Sequence, residues 1–159
     1  MNFIKLLLPF FMLFALYAQK VEVSSDSMKA EEMKKEVHFI GNVKVKQHDS
    51  WLHGDKVVVY FDENNKTKMY EAQAIGKEKT VTFEVKEKKG FYKGSALNVK
   101  YYPVTSKYVL TGKAVIDDLL NKRHVNGDVI TLDMITGNAI VKGSRKKPVK
   151  FIFDMKEKK

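Results

Sequence analysis

The chain has no cysteine among its 159 residues. Neither a disulfide framework nor a lipid-modified N-terminal cysteine is therefore possible. Without disulfides, the protein must rely for its stability on an apolar core and on the hydrogen bonds of its backbone.

The residue patterns that metal binding and catalysis require are also missing. The four histidines show no metal-ligand spacing; His48 and His53, for example, are five residues apart across a predicted turn. The Gly-Asp pairs at Asp55 and Asp128 recur because a turn recurs, and a related segment carries Ser95 at this position. Because no acid–base pair and no nucleophile with its base can be composed, we predict that the protein is not an enzyme and needs no metal or cofactor.

A long apolar run lies at the N-terminus. Residues 1–18 have the layout of a secretory signal, with a basic start, an apolar stretch from Leu6 to Leu16, and Ala18 before polar residues. The apolar stretch is shorter than the roughly 20 residues that a membrane-spanning helix needs. We predict cleavage after Ala18 and one domain over residues 19–159. The bulky Leu16 at the −3 position leaves an uncleaved anchor as the alternative.

The chain carries an excess of positive charge, with 29 Lys and Arg residues against 19 Asp and Glu residues and a net charge of +10. Such a surface favours polyanions, namely nucleic acid, anionic lipid headgroups or phosphorylated glycolipid. Export argues against nucleic acid, and no short motif interleaves aromatic and basic residues as single-strand binding platforms do. The alternative is a solvated surface that keeps edge strands from aggregating.

Three segments of the chain are copies of one strand. They are Gly54–Phe61, Gly94–Tyr101 and Gly127–Met134. Each copy runs into a polar turn and then returns to a second glycine, at Gly76, Gly112 or Gly143. Turns and bulges need the positive φ that glycine adopts without strain, so this spacing of glycines between β-branched runs predicts a stack of β-hairpins.

The copies also predict which side chains face inward, because side chains alternate along a strand. The third, fifth and seventh residues after each glycine are all apolar or aromatic: Val57, Val59, Phe61, Leu97, Val99, Tyr101, Ile130, Leu132 and Met134. The intervening residues, which include Ala96, Lys100 and Asp133, are predicted to face outward. Hairpins with one apolar face fold that face inward into a sandwich-like or rolled open sheet. Its interior is either a filled core or a cavity for an apolar ligand.

Further strands are predicted from the alternation of apolar and polar residues. They lie in residues 21–28, 37–45, 80–85 and 149–154. Residues 29–35 contain helix-forming side chains with poor helical spacing, so we predict a loop there in preference to a short helix.

Several blocks of the sequence, taken in order, resemble a known family. The blocks are Val21–Met28, Phe39–Val45, Gly54–Tyr60, Val109–Ala114 and Gly127–Thr131. No single block is specific, but the five in register resemble the LptA/OstA family, the periplasmic bridge component of lipopolysaccharide export. The segment after Gly143, with its basic residues 145–147, matches no block of that family.

The resemblance implies an all-β, twisted, open β-jelly-roll of stacked antiparallel hairpins, whose apolar groove shields the acyl chains of lipid A. The residues expected to bind lipid are then Val21, Val23, Val43, Val57, Val59, Phe61, Val81, Phe83, Leu97, Val99, Tyr101, Ile130, Leu132 and Met134. A basic rim would suit the phosphates of lipid A, and transport would need no catalysis by this protein.

The resemblance also implies partners in the periplasm. Such sheets would stack end to end, as a homo-oligomer, from an inner-membrane LptC-like protein and its transporter complex to an LptD-like outer-membrane assembly protein. Terminal strands would be the junctions, so we expect Val21 and Val23 to pair with Ile140–Val141 or Phe151–Phe153 of a neighbour. The alternatives are a membrane-anchored LptC-like sister protein that keeps its leader, and a structural periplasmic repeat protein without a ligand.

Overall fold

The computed structural model describes residues 21–76, 79–88 and 90–155. Within them the chain forms twelve β-strands: β1 (Val21–Ser24), β2 (Ser27–Glu31), β3 (Glu36–Gln47), β4 (Ser50–Phe61), β5 (Thr67–Gln73), β6 (Val81–Glu87), β7 (Gly90–Ala96), β8 (Asn98–Tyr102), β9 (Lys107–Asp118), β10 (Arg123–Asp133), β11 (Ala139–Lys142) and β12 (Lys150–Phe153). The signal predicted over residues 1–18 lies outside the described residues. In the part that is described, no helix is long and apolar enough to cross a membrane.

The strands pair antiparallel in one sheet that divides into two half-sheets. The first half-sheet runs in the order β1, β3, β4, β6, β7, β9, β10, β12. The second runs in the order β2, β3, β4, β5, β8, β9, β10, β11. Only the four long strands β3, β4, β9 and β10 belong to both, so the line between the half-sheets is a crease at which the other strands stop.

Two β-bulges of the same construction mark this crease. Gly41 and Asn42 in β3 have φ values of 85° and 47°, and Gly112 and Lys113 in β9 have φ values of 82° and 49°. At each bulge the pairing with the neighbouring strand shifts by one residue. Because a bulge bends its strand and increases the local twist, the two bulges turn the long strands from one half-sheet into the other.

Backbone hydrogen bonds connect the breaks in the interrupted strands to the bulges of the long strands. The N–H of Asp26, between β1 and β2, donates to the carbonyl of Gly41 at 2.8 Å. The N–H of Leu97, between β7 and β8, donates to the carbonyl of Gly112 at 2.8 Å, and the Leu97 carbonyl accepts from Ala74 at 3.0 Å. The strand breaks therefore leave these backbone groups paired, as a stable fold requires.

The prediction of a loop over residues 29–35 is wrong for its first part. Residues Ser27–Glu31 form β2, which pairs with β3 from Ser27 opposite Ile40 to Glu31 opposite Glu36. Helix-forming side chains are tolerated here because pairing with the long β3 outweighs intrinsic preference at an edge position.

The second copy of the strand repeat is also not one strand. It is divided at Leu97 into β7 and β8, which belong to different half-sheets. Ala96, predicted to face outward, is instead 0% exposed in the core. Side chains do not alternate regularly through Leu97, because its backbone leaves the strand pairing and is hydrogen-bonded to Gly112 and Ala74 instead. Ala96 and Val99, on either side of the break, therefore both face the core.

The bulge in β9 gives a first stability prediction. A Cβ at Gly112 would lie 2.7 Å from Cδ1 of Leu97, whereas a Cβ at Gly137, whose φ is also positive, would meet nothing within 4 Å. We expect Gly137→Ala to lower the free energy of unfolding by about 1 kcal/mol, the cost of a side chain in the left-handed region. Gly112→Ala should cost about 2 to 3 kcal/mol, because overlap with Leu97 is added. Urea denaturation of both variants measures the difference, and equal losses would contradict the close packing at the crease.

Candidate functional site

The inward side chains of the second half-sheet form two cross-strand rows. The row nearer the crease consists of Met28, Phe39, Val57, Ala72, Val99, Leu110, Ile130 and Val141. The row farther from it consists of Ala30, Val37, Val59, Tyr70, Tyr101, Tyr108, Leu132 and Ala139. Both rows cross all eight strands without a charged residue, so this face is apolar from one end to the other.

The first half-sheet presents a matching inner face. One row consists of Val23, Val45, Leu52, Phe83, Gly94, Ile116, Val125 and Phe151. Beside the crease lie mostly small residues, among them Gly54, Ala96 and Gly127. A Cβ at Gly127 would lie 2.7 Å from Cγ1 of Val141, which belongs to the second half-sheet. The two faces therefore approach closely at Gly127, where a larger side chain does not fit.

Most of the residues predicted to bind lipid lie on this shared inner face. The core contains Val21, Val43, Val57, Val59, Phe61, Val81, Val99 and Ile130, and Val23, Phe83 and Leu132 pack against it. Tyr101 is half-buried in the row of the inner face that is farther from the crease. Two residues depart from the predicted face: Leu97 sits over Gly112 at the strand break, and Met134, which follows β10, is 47% exposed.

The middle of the inner face is filled by side chains. Val37, Val81, Ala96, Ala114 and Ile130 are 0% exposed. In this state the centre is therefore a packed core, and a ligand can reach the apolar face only from its margins or after the half-sheets separate.

Three tyrosines form a stack along the margin away from the crease. The Tyr101 ring lies 5.6 Å from Tyr70 and 4.3 Å from Tyr108, centroid to centroid, at interplanar angles of 22° and 29°. Burial raises the pKa of the Tyr70 phenol, so this group stays neutral at physiological pH. Tyr70 and Tyr108 were not among the predicted site residues, although alternation along the two return strands places them on the same face.

The inner face is accessible at its C-terminal end. Phe151 pairs with Val125 and Phe153 with Arg123, which puts both rings on the inner side of β12. The rings are 5.4 Å apart and the residues are 54% and 55% exposed. Phe151 and Phe153 are two residues apart in an apolar segment, so they share one face of the strand. This spacing was the sequence signal that could have placed both on the inner face.

An ion pair lies beside Phe153 at the margin of the inner face. Arg123, the pairing neighbour of Phe153, donates from Nη2 and Nε to Oδ2 of Asp118, at 2.5 Å and 3.1 Å. Burial alone would raise the pKa of Asp118, but hydrogen bonds from Arg123 and Asn121 outweigh it and lower the pKa below its ordinary value. The carboxylate is therefore ionised at neutral pH and fixes the turn between β9 and β10.

The outer faces, by contrast, carry charged and polar pairs. On the second half-sheet Glu71 accepts from Asn98 at 2.8 Å and lies 3.8 Å from the ammonium of Lys100. On the first, His124 Nδ1 lies 2.5 Å from Asp117 Oδ1. Lys100 faces outward, as predicted. Among the described residues no three His, Asp or Glu side chains are grouped to hold a metal ion.

Comparison with known proteins identifies the family. The sequence over residues 22–138 matches the family described as LptA/(LptD N-terminal domain) LPS transport protein. A search of curated proteins finds no match. Among solved structures, the fold matches LptH, the LptA-homologous periplasmic component of the lipopolysaccharide transport device of Pseudomonas aeruginosa, with a TM-score of 0.71. The two chains are 18% identical, and the match covers 86% of this chain and 96% of that one.

The structural match confirms the prediction of an all-β, open β-jelly-roll. At this identity it shows the fold alone. The family match carries the assignment, since it covers well over half of the 159 residues. The chain belongs to the LptA/LptD N-terminal domain family of lipopolysaccharide transport proteins.

Proposed function

We propose that the protein binds lipopolysaccharide through the acyl chains of lipid A on its inner face, and that it forms part of a periplasmic bridge from the inner to the outer membrane. The observation that carries the proposal is the continuous apolar inner face, which crosses every strand and ends in half-exposed aromatic rings at Phe151 and Phe153. Transfer of acyl chains from water to such a surface is favourable by roughly 25 cal/mol per Å² buried.

Binding in the middle of the face requires the half-sheets to move apart. The crease suits this motion, because only β3, β4, β9 and β10 cross it, and two of these carry bulges. Acyl chains would first contact the accessible side chains, such as Leu132 and Tyr101, and then replace contacts between the two inner faces. The protein exchanges one apolar contact for another, so opening in the presence of lipid costs less than opening in water.

The sheet ends fit a role in a bridge. β1 and β2 form one end and β11 and β12 the other, and each pairs with a single neighbour among the described strands. Free edges of this kind accept a further strand by β-augmentation. We infer end-to-end stacking in the periplasm, with an LptC-like protein and its transporter complex on the inner-membrane side and an LptD-like protein on the outer-membrane side.

Extraction of the purified protein tests the lipid cargo. Protein from envelope fractions should release lipopolysaccharide when extracted with organic solvent. Leu132→Asp places a charge on the inner face and should abolish the bound lipid, whereas Thr131→Asp, one residue along and on the outer face, should keep it. Folding of both variants is checked by circular dichroism. A folded wild-type protein without lipopolysaccharide, or equal loss in both variants, would reject the proposal.

A further inference from the structure

Five cationic side chains with no ion-pair partner among the described residues lie at the end of β11, at the start of β12 and on the turn that joins these strands. They are Lys142, Arg145, Lys146, Lys147 and Lys150, and all are exposed. No described acidic side chain forms an ion pair with any of them, whereas other exposed lysines, such as Lys29 and Lys34, are paired with Glu31 at 2.9 Å and 2.8 Å. The segment lies beyond residues 22–138, over which the chain matches its family.

Arg145, Lys146 and Lys147 lie on a hydrogen-bonded turn. The N–H of Ser144 donates to the carbonyl of Lys147 at 2.9 Å, and the N–H of Lys147 donates to Ser144 Oγ at 3.1 Å. A Cβ at Gly143 would lie 2.7 Å from the carbonyl oxygen of Lys147, so the turn packs against the backbone that precedes it. Arg145 and Lys146 are thereby presented together at the tip.

Exposed apolar side chains surround this turn on both faces of the sheet. Phe151 and Phe153 lie on the inner face, while Ile152, 50% exposed, lies on the outer face. Ile140, on the outer face of β11, is 61% exposed, and Val149 is 42% exposed. All four residues of β12 are exposed. We call residues 139–155 the C-terminal edge.

The charges indicate what covers the C-terminal edge. A second copy that adds its β1 or β2 would bring Glu22, Asp26 and Glu31, but Glu31 is already neutralised by Lys29 and Lys34. Two carboxylates would then face five cations, so this partner leaves most of the positive charge uncompensated. Acyl chains on the inner face would cover Phe151 and Phe153 and leave Ile140 and Ile152 in water. A lipid surface with anionic headgroups supplies both phosphates for the cations and an apolar layer for side chains on either side of the strand.

We propose that the C-terminal edge docks the protein onto an anionic lipid bilayer, with residues 142–150 against the headgroups and the apolar side chains of β12 in the interface. The proposal concerns a protomer whose C-terminal edge has no strand added to it, since a neighbour paired with β11 or β12 would occupy the same surface. It does not depend on whether the inner face carries lipopolysaccharide. Each Lys or Arg close to an anionic surface strengthens binding by roughly fivefold, and the attraction is screened over about 8 Å at physiological ionic strength. Binding should therefore fall steeply with added salt.

Vesicle sedimentation tests the docking surface. The wild-type protein should bind vesicles of phosphatidylcholine with phosphatidylglycerol and bind pure phosphatidylcholine vesicles far less. Replacing Arg145, Lys146 and Lys147 together by Gln should weaken binding to the anionic vesicles by roughly 100-fold. The matched control replaces Lys44, Lys66 and Lys68, three exposed lysines elsewhere in the protein, by Gln. It should weaken binding to the anionic vesicles by less than about fivefold.

A second variant separates insertion from charge. Phe151→Ser with Phe153→Ser leaves the net charge unchanged and should reduce vesicle binding by at least tenfold. Equal effects of the two triple variants would mean attraction by net charge alone and would overturn the proposal. It would also fall if the protein bound lipopolysaccharide aggregates but not phosphatidylglycerol vesicles. Loss of self-association in the Arg145–Lys147 variant, with vesicle binding retained, would instead assign the edge to a junction between copies.

Discussion

Replacing Leu110 with Ala is expected to lower the free energy of unfolding by about 3 kcal/mol. Leu110 is 1% exposed and lies in the row beside the crease, between Val99 on β8 and Ile130 on β10. Its neighbours are held in position by strand pairing on both sides, so they cannot collapse into the space that the substitution leaves. The expected loss therefore includes the cost of a cavity in addition to the lost burial.

The neighbouring Val109 provides the control for this prediction. It lies on the same strand and faces outward, between Lys100 on β8 and Thr131 on β10. Val109→Ala should cost less than about 1 kcal/mol, because its side chain is half-buried among polar groups. Urea denaturation of both variants measures the two values. Equal losses would show that the assignment of faces on β9 is wrong.

The hairpin stack and its inner face could be predicted from the sequence because both depend on local signals. Gly54 and Gly127 begin the same pattern of alternation, and the side chains that follow them point into one core. Residues 149–154 were predicted as a strand on the same grounds and contain β12. Alternation and turn chemistry are properties of short segments, so one sequence is sufficient to detect them.

The crease could not be predicted, because it is a property of the assembled sheet. The break at Leu97 depends on hydrogen bonds to Gly112 and Ala74, which are distant in sequence. For the same reason Ala96 was assigned to the wrong face. Alternation also says which way a side chain points and not how near the opposite face lies, so a filled centre could not be distinguished from a cavity.

Cross-linking is expected to differ strongly between adjacent positions of the same strand. A photo-reactive residue at Leu132 or Tyr101 should capture lipopolysaccharide, because both lie on the inner face in the accessible row farther from the crease. The same residue at Thr131 or Lys100, one position away, should capture little, because a single step along a strand turns the side chain to the polar face. The expected contrast is at least tenfold at each pair.

Buried positions refine this expectation. Val59 is 1% exposed and Val99 is 5% exposed. Lipid reaches them only when the half-sheets separate, so they should be labelled more slowly than Leu132 and to a final level that rises with the supply of lipid.

The contrast between Leu132 and Thr131 is the measurement that tests the central claim most directly, since it requires both the fold and the ligand to be as described. In folded protein supplied with lipopolysaccharide, the account predicts a cross-linked product at Leu132 and almost none at Thr131. Equal labelling at the two positions would mean adsorption to the surface. No labelling at either position would mean that the inner face is a filled core with no lipid cargo.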